Sequence, residues 1–118
     1  MRSRFVLGGP TLVRFVSRTA VRDGSALMVT IRPEDCRVFL DRGYTMFAVV
    51  TSSQPKFTIP EEIEDVLRAV RFVRHNAAQY GVRPDRLGVL GASSGGHLTL
   101  SIATRGGPGK SDSADPVE

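Results

Sequence analysis

The stretch from Leu87 to Leu98 constrains this chain more than any other. It asks for a buried strand, a turn of very small residues and a helix in immediate succession. Leu87-Gly88-Val89-Leu90 reads as a buried strand, and Gly91-Ala92-Ser93-Ser94-Gly95-Gly96 leaves no bulky side chain where the chain must reverse. Gly91-Ala92-Ser93-Ser94-Gly95 fits the pattern G-x-S-x-G. The physical logic is specific. A serine at the apex of a sharp strand-to-helix turn takes a strained backbone conformation, so its neighbours must be small. Gly91 and Gly95 let strand and helix approach, and Ala92, Ser94 and Gly96 avoid a clash. Such a turn exposes the Ser93 hydroxyl and aims the Ser94 N–H, with the start of the next helix, at a developing negative charge. Ser93 is therefore the candidate nucleophile and Ser94 the candidate oxyanion donor. The bland reading is a tight glycine-rich turn with no chemistry.

The residues before the turn alternate between helix and strand signals. Pro33-Glu34-Asp35 starts a helix, with proline and acids in the first turn, and Gly43 ends it after Arg42. Thr45 to Thr51 is a short apolar run that reads as a buried strand. The clearest helix opens at Pro60, carries Glu61, Glu62, Glu64 and Asp65 early, and closes at Gly81. Ile63, Val66, Leu67, Val70, Val73, Ala77 and Tyr80 form its apolar stripe. Arg68, Arg71 and Arg74 lie off that stripe as a solvated face, and His75 reads as a surface histidine. A helix over His97 to Thr104 follows the turn and stops at Gly106-Gly107. The alternation predicts an α/β fold with a mainly parallel sheet flanked by helices in three layers.

Three regions are expected: an irregular Arg-rich segment over 1–31, an α/β core over 32–106 and a polar mobile tail over 107–118. Arg4 to Leu7 and Thr11 to Val16 are weak strand candidates without convincing alternation. The basic balance belongs to the first region. Residues 1–22 carry five arginines and no acid, whereas the remaining chain holds 11 basic and 12 acidic side chains. A nucleic-acid reader spreads basic residues over its folded face with aromatic residues among them, so nucleic acid is not an expected partner. The Arg-rich start is similar to an organelle-targeting peptide or is simply an irregular upstream segment. No clear secretory signal or membrane span is expected, because no apolar run is long enough. The one cysteine, Cys36, excludes an internal disulfide framework and fits a reducing, cytoplasmic compartment. His75 and His97 are the only histidines and make no zinc-ligand spacing with Cys36, so no metal is expected.

A longer pattern is familiar. Arg42-Gly43-Tyr44, Thr45 to Val50, Glu64-Asp65 with Ala69-Val70-Arg71-Phe72, Tyr80 to Gly91, and Ser93-Ser94-Gly95-Gly96-His97-Leu98 resemble a group of α/β-hydrolases. These are esterase/lipase-like enzymes close to feruloyl and acetylxylan esterases and to hormone-sensitive-lipase relatives. The resemblance runs from about Arg32 to Thr104. It implies a serine hydrolase of carboxylic esters in which Ser93 forms an acyl-enzyme and the Ser94 amide is half of the oxyanion hole. It also implies a small-molecule ester substrate, no metal or organic cofactor, and a His97 that sits behind the turn rather than serving as base.

The chain departs from that family in three places. The histidine-glycine-glycine loop that supplies a second oxyanion N–H has only Gly8-Gly9 as a candidate, too far upstream and without its histidine. An aspartate-tyrosine-arginine after the middle strand is replaced by Thr51-Ser52-Ser53. The family's acid and histidine follow the serine on later strands, and after Ser93 this chain has only His97, Asp112 and Asp115. A serine with no imidazole to take its proton is a poor nucleophile. The expectation is thus a hydrolase fragment with little activity and poor stability by itself. Two alternatives belong to other classes. Gly91 to Gly95 also resembles the glycine-rich turn of an NAD(P)-binding short-chain dehydrogenase, with His97 where a third glycine belongs. A non-catalytic truncated product is the other.

Overall fold

The computed structural model describes residues 2–8, 11–17, 26–30, 37–50, 55, 57–115 and 117. Among the described residues, five strands form one sheet: β1 (Arg2–Gly8), β2 (Thr11–Ser17), β3 (Ala26–Thr30), β4 (Thr45–Val50) and β5 (Leu87–Gly91). The α-helices among the described residues are α1 (Arg37–Asp41), α2 (Ile59–His75) and α3 (Ser94–Arg105). The strand order is β1-β2-β4-β3-β5. β1 and β2 pair antiparallel, as do β2 and β4, with Phe15 opposite Phe47. β3 runs parallel between β4 and β5, its Met28 in register with Phe47 on one side and Val89 on the other. The α/β class is as expected. The sheet is parallel in the half that carries the elbow and antiparallel in the other.

β4 explains itself. Its first five residues, Thr45 to Val49, are all buried. Successive side chains of a strand point to opposite faces, so an unbroken apolar run belongs where both faces are covered. Phe47 and Val49 enter a core with Ile63, Val66, Ala69 and Val73 of α2 and with Leu98 and Ile102 of α3. Met46 and Ala48, on the opposite face, are as deeply buried.

The stripe predicted on α2 is the face that packs. Its start is a satisfied one: the Thr58 N–H and Oγ1 both donate to Glu61 Oε2, at 2.6 and 2.8 Å. These bonds, the backbone one foremost, hold the Glu61 carboxyl below the usual carboxylate range. The α-helix stops earlier than its stripe. At Asn76 the side-chain Nδ2 donates to the Phe72 carbonyl, and the chain tightens into a 3-10 turn over Ala77–Tyr80. Gly81, at φ 66°, closes that turn in the left-handed conformation glycine tolerates. Tyr80 still reaches the core and meets Phe47 edge-on, with ring centroids 5.4 Å apart.

Two regional expectations need correction. Residues 1–31, expected to be irregular, contain three of the sheet's five strands. Their pairing is set by distant partners, which local alternation does not report. The tail expected to be mobile is docked on α2. Arg68 Nη2 makes an ion pair with Asp115 at 2.5 Å, Arg71 Nε donates to the Val117 carbonyl at 3.0 Å, and Val117 is buried. The face expected to be solvated therefore supplies the donors, while Arg74 Nε donates to the Pro84 carbonyl at 3.3 Å. The expected helix start at Pro33-Glu34-Asp35, together with Cys36, lies outside the described residues. Among the described residues no helix is long and apolar enough to cross a membrane.

Candidate active site

β5 ends at Gly91 and α3 begins at Ser94, so only Ala92 and Ser93 separate strand from helix. Ser93 has φ 54° and ψ −120°. Among the described residues it is the one non-glycine with positive φ. A conformation of this kind costs about 1–3 kcal/mol and persists only when its surroundings enforce it.

The surroundings are visible. A Cβ on Gly91 would stand 2.1 Å from the Gly95 carbonyl oxygen and 2.7 Å from Thr99 Oγ1, so strand and helix cross here with room for hydrogen alone. A Cβ on Gly96 would stand 3.4 Å from the Gly91 oxygen, an ordinary contact. The two glycines share a motif but not a role. The Gly95 N–H donates to the Ala92 carbonyl at 2.9 Å, and the His97 N–H donates to the Ser93 carbonyl at 3.2 Å. Together these bonds clamp the apex from both sides. Ser93 makes no side-chain cap to the helix it precedes, and both Ser93 and Ser94 are exposed. Ser94 is the first helical residue, where an N–H has no acceptor within the helix. The helix dipole adds partial positive charge at the same place.

His97 lies one turn into α3 with an exposed side chain, and His75 lies exposed at the end of α2. Among the described residues, no hydrogen bond joins an imidazole to Ser93. No group of three His, Cys, Asp or Glu side chains gathers at metal-binding distance among them either. Asp115, one of the acids after the serine, is committed to Arg68 on α2, and that bond holds its carboxyl low. Gly8 ends β1, while Gly9 and Thr51-Ser52-Ser53 lie outside the described residues. Sequence reasoning missed Thr99, whose Oγ1 is buried against the crossing without a hydrogen-bond partner. Its four-residue spacing from Gly95, itself four from Gly91, was the available signal.

A half-parallel, half-antiparallel sheet with a strained serine between its fifth strand and the next helix defines the α/β-hydrolase class. Solved structures agree. A crystal structure of an acetyl ester-xyloside bifunctional hydrolase from Caldicellulosiruptor lactoaceticus superposes with TM-score 0.84 at 25% identity, covering 92% of this chain and 43% of that one. MGS-M1, an α/β-hydrolase enzyme from a deep-sea metagenome library, gives TM-score 0.79 at 19% identity, covering 90% of this chain and 52% of its own. The chain belongs to the BD-FAE family, whose model matches residues 22–114. Esterase LipQ of Mycobacterium tuberculosis is 39% identical over 64 residues, which are 54% of this chain and 15% of LipQ. Endo-1,4-beta-xylanase B of Butyrivibrio fibrisolvens is 34% identical over 68 residues, 55% of this chain and 11% of that protein. The chain thus spans a small part of these curated relatives and about half or less of these solved structures. The dehydrogenase alternative finds no support. Its glycine-rich turn belongs after a first strand, and here the turn follows the fifth.

Proposed function

We propose that this chain carries the nucleophile of a carboxylic ester hydrolase acting on small-molecule esters, with Ser93 as the acyl acceptor. The observation that supports it best is the Ser93 backbone at φ 54° in a turn where strand and helix cross too closely at Gly91 for any side chain. Strain of this size on an exposed serine has no stabilising purpose, and an exposed hydroxyl beside free helix N–H groups is what acyl transfer needs.

In the first step Ser93 Oγ attacks the ester carbonyl and loses its proton to a base. The carbonyl oxygen becomes an oxyanion facing the Ser94 N–H. Collapse of that intermediate expels the alcohol, which takes up the proton, and leaves an ester on Ser93. Water then attacks the same carbonyl, releasing the carboxylic acid and restoring the hydroxyl. An imidazole normally carries the proton through both steps. Neither His75 nor His97 bonds to Ser93, so the 118-residue chain is expected to acylate slowly and to deacylate more slowly still.

That imbalance makes the test. The protein is treated with p-nitrophenyl acetate in the presence of free imidazole, and acetylated peptides are located by mass spectrometry. Acetyl on Ser93 is expected to accumulate about a hundredfold faster than on other exposed serines, because one oxyanion donor contributes on that order. Ser93→Ala removes the adduct. Acetylation spread evenly over surface serines would overturn the proposal.

A further inference from the structure

A polar cleft opens at the C-terminal end of α3, where the chain leaves that helix. Its volume is about 290 Å³, close to the lower bound for small-molecule sites. Three segments line it: Glu64, Leu67 and Arg71 from α2, Arg105 from the last turn of α3, and Gly107 to Lys110 beyond it. Ser93, Ser94 and His97 do not line it, so it is distinct from the mouth of the elbow.

Its charge sets it apart from a packing gap. Among the described lining residues Arg71, Arg105 and Lys110 face a single carboxylate, Glu64. A cation in the last turn of a helix answers the helix dipole, and that would account for Arg105 alone. It does not account for cations converging from three segments. Nor have the opposite charges closed on one another, since Arg71, Arg105 and Glu64 make no ion pair among the described residues. Arg71 is half-buried, and its Nε donates to the Val117 carbonyl at 3.0 Å. The guanidinium is thus anchored before any ligand arrives, and its terminal nitrogens keep their donors for an anion. Gly107 and Gly109 border the cleft with backbone only, and among the described residues neither N–H has an acceptor.

We infer that this cleft binds a phosphate monoester of a small polyol. The phosphate sits among Arg71, Arg105 and Lys110, the carbon skeleton lies over Leu67, and a hydroxyl donates to Glu64. A phosphate near full ionisation matches the excess of two positive charges, and its three oxygens accept from donors on three segments. A planar carboxylate has two oxygens and serves fewer of them. A bare anion leaves Glu64 unanswered, and a neutral polyol leaves the guanidiniums unanswered. The inference does not rest on ester hydrolysis, since binding here needs no Ser93 chemistry.

The test is a calorimetric titration of the whole chain, carrying Ser93→Ala so that no acylation intervenes. The probes are glycerol 3-phosphate, propyl phosphate, inorganic sulfate and glycerol. Glycerol 3-phosphate is expected to bind about tenfold tighter than propyl phosphate, the worth of one hydrogen bond to a charged group. Sulfate should bind more weakly than glycerol 3-phosphate, and glycerol should show no saturable binding. Glu64→Ala should abolish the preference for the polyol while keeping phosphate binding. Arg105→Gln should weaken both esters about tenfold and leave the preference intact. Circular dichroism on each variant checks that the fold is kept. Phosphatidylinositol 4-phosphate in phosphatidylcholine vesicles presents the same chemistry on a lipid. Sedimentation of the protein with those vesicles assigns the site to a headgroup, and its absence, with the free ester bound, to a soluble ester. Sulfate binding as tightly as glycerol 3-phosphate, or affinities that neither substitution alters, would overturn the inference.

Discussion

α2 and α3 both begin after a hydroxyl residue, and the two starts have opposite characters. Thr58 precedes α2 at φ −92° and ψ 160°, relaxed extended backbone, with its N–H and hydroxyl both donating to Glu61. Ser93 precedes α3 at φ 54° and ψ −120°, with no side-chain cap and an exposed hydroxyl. The first arrangement spends its hydroxyl on local structure. The second keeps its hydroxyl free and strained, and depends on glycines for the room to do so. A helix start can stabilise the fold or present a reactive group, and this molecule assigns one task to each.

The widest separation between the two starts should come from the glycine that makes the strained one possible. Gly91→Ala places a methyl group 2.1 Å from the Gly95 carbonyl oxygen, and backbone cannot swing aside as a side chain can. The expected loss is about 3 kcal/mol or more, beyond the usual cost of overpacking, or failure to fold. Gly96→Ala meets only an ordinary contact and should change stability by less than about 1 kcal/mol. Urea unfolding of the pair checks this. Equal losses would mean that the crossing is looser than these distances require.

Replacing the two hydroxyl residues, Ser93 by glycine and Thr58 by alanine, should then move stability in opposite directions. Ser93→Gly relieves the positive φ and is expected to stabilise the protein by about 1 kcal/mol while abolishing acetylation at that site. Thr58→Ala removes the hydroxyl that donates to Glu61 and should destabilise by about 1 kcal/mol, with acetylation of Ser93 unaffected. If Ser93→Gly destabilised as well, the strain assigned to the elbow would be absent, and the contrast with Thr58 would fail.

The same contrast separates what the sequence reveals from what it hides. The start of α2 and the elbow were legible, because Pro60 with Glu61, and Gly91 through Gly96, act on neighbours within a few residues, although α3 begins at Ser94 and not at the expected His97. The stripe on α2 was legible for the same reason, and so was β4, whose burial on both faces shows as an unbroken apolar run. β3 was not. Ala26 to Thr30 pairs with Thr45 onward and with Leu87 onward, partners that local pattern cannot name. β1 and β2 carry Arg2, Arg4 and Arg14 within their spans, which blurred their alternation. The roles of Arg68 and Arg71 also escaped the sequence. They depend on the tail returning to α2 across more than forty residues, which neither charge nor periodicity encodes. Of the candidate site, the elbow was readable and the orphan Thr99 hydroxyl was not, because its isolation is a property of packing.

The smallest expected effect concerns two carboxylates, the exposed Glu61 at the α2 start and the half-buried Asp115 in the tail. Hydrogen bonds to Thr58 lower the Glu61 pKa, and the bonds to Arg68 and then to the Val117 N–H lower that of Asp115. A group whose pKa is lower folded than unfolded stabilises the fold above its unfolded value. That contribution fades as pH falls through the usual carboxylate range and on to the lower folded value. Hydrogen-exchange protection, taken relative to the intrinsic rate at each pH, should therefore fall in the tail and in the first turn of α2 as acid is added. The amides that hold the elbow, Gly95 to Ala92 and His97 to Ser93, involve no carboxylate and should not respond in that window. Arg68→Gln should loosen the tail at neutral pH and flatten its response to acid, with α2 still responding through Glu61. An elbow that loosened together with the tail would show that the strained start leans on the docked tail, not on its own glycines and backbone bonds.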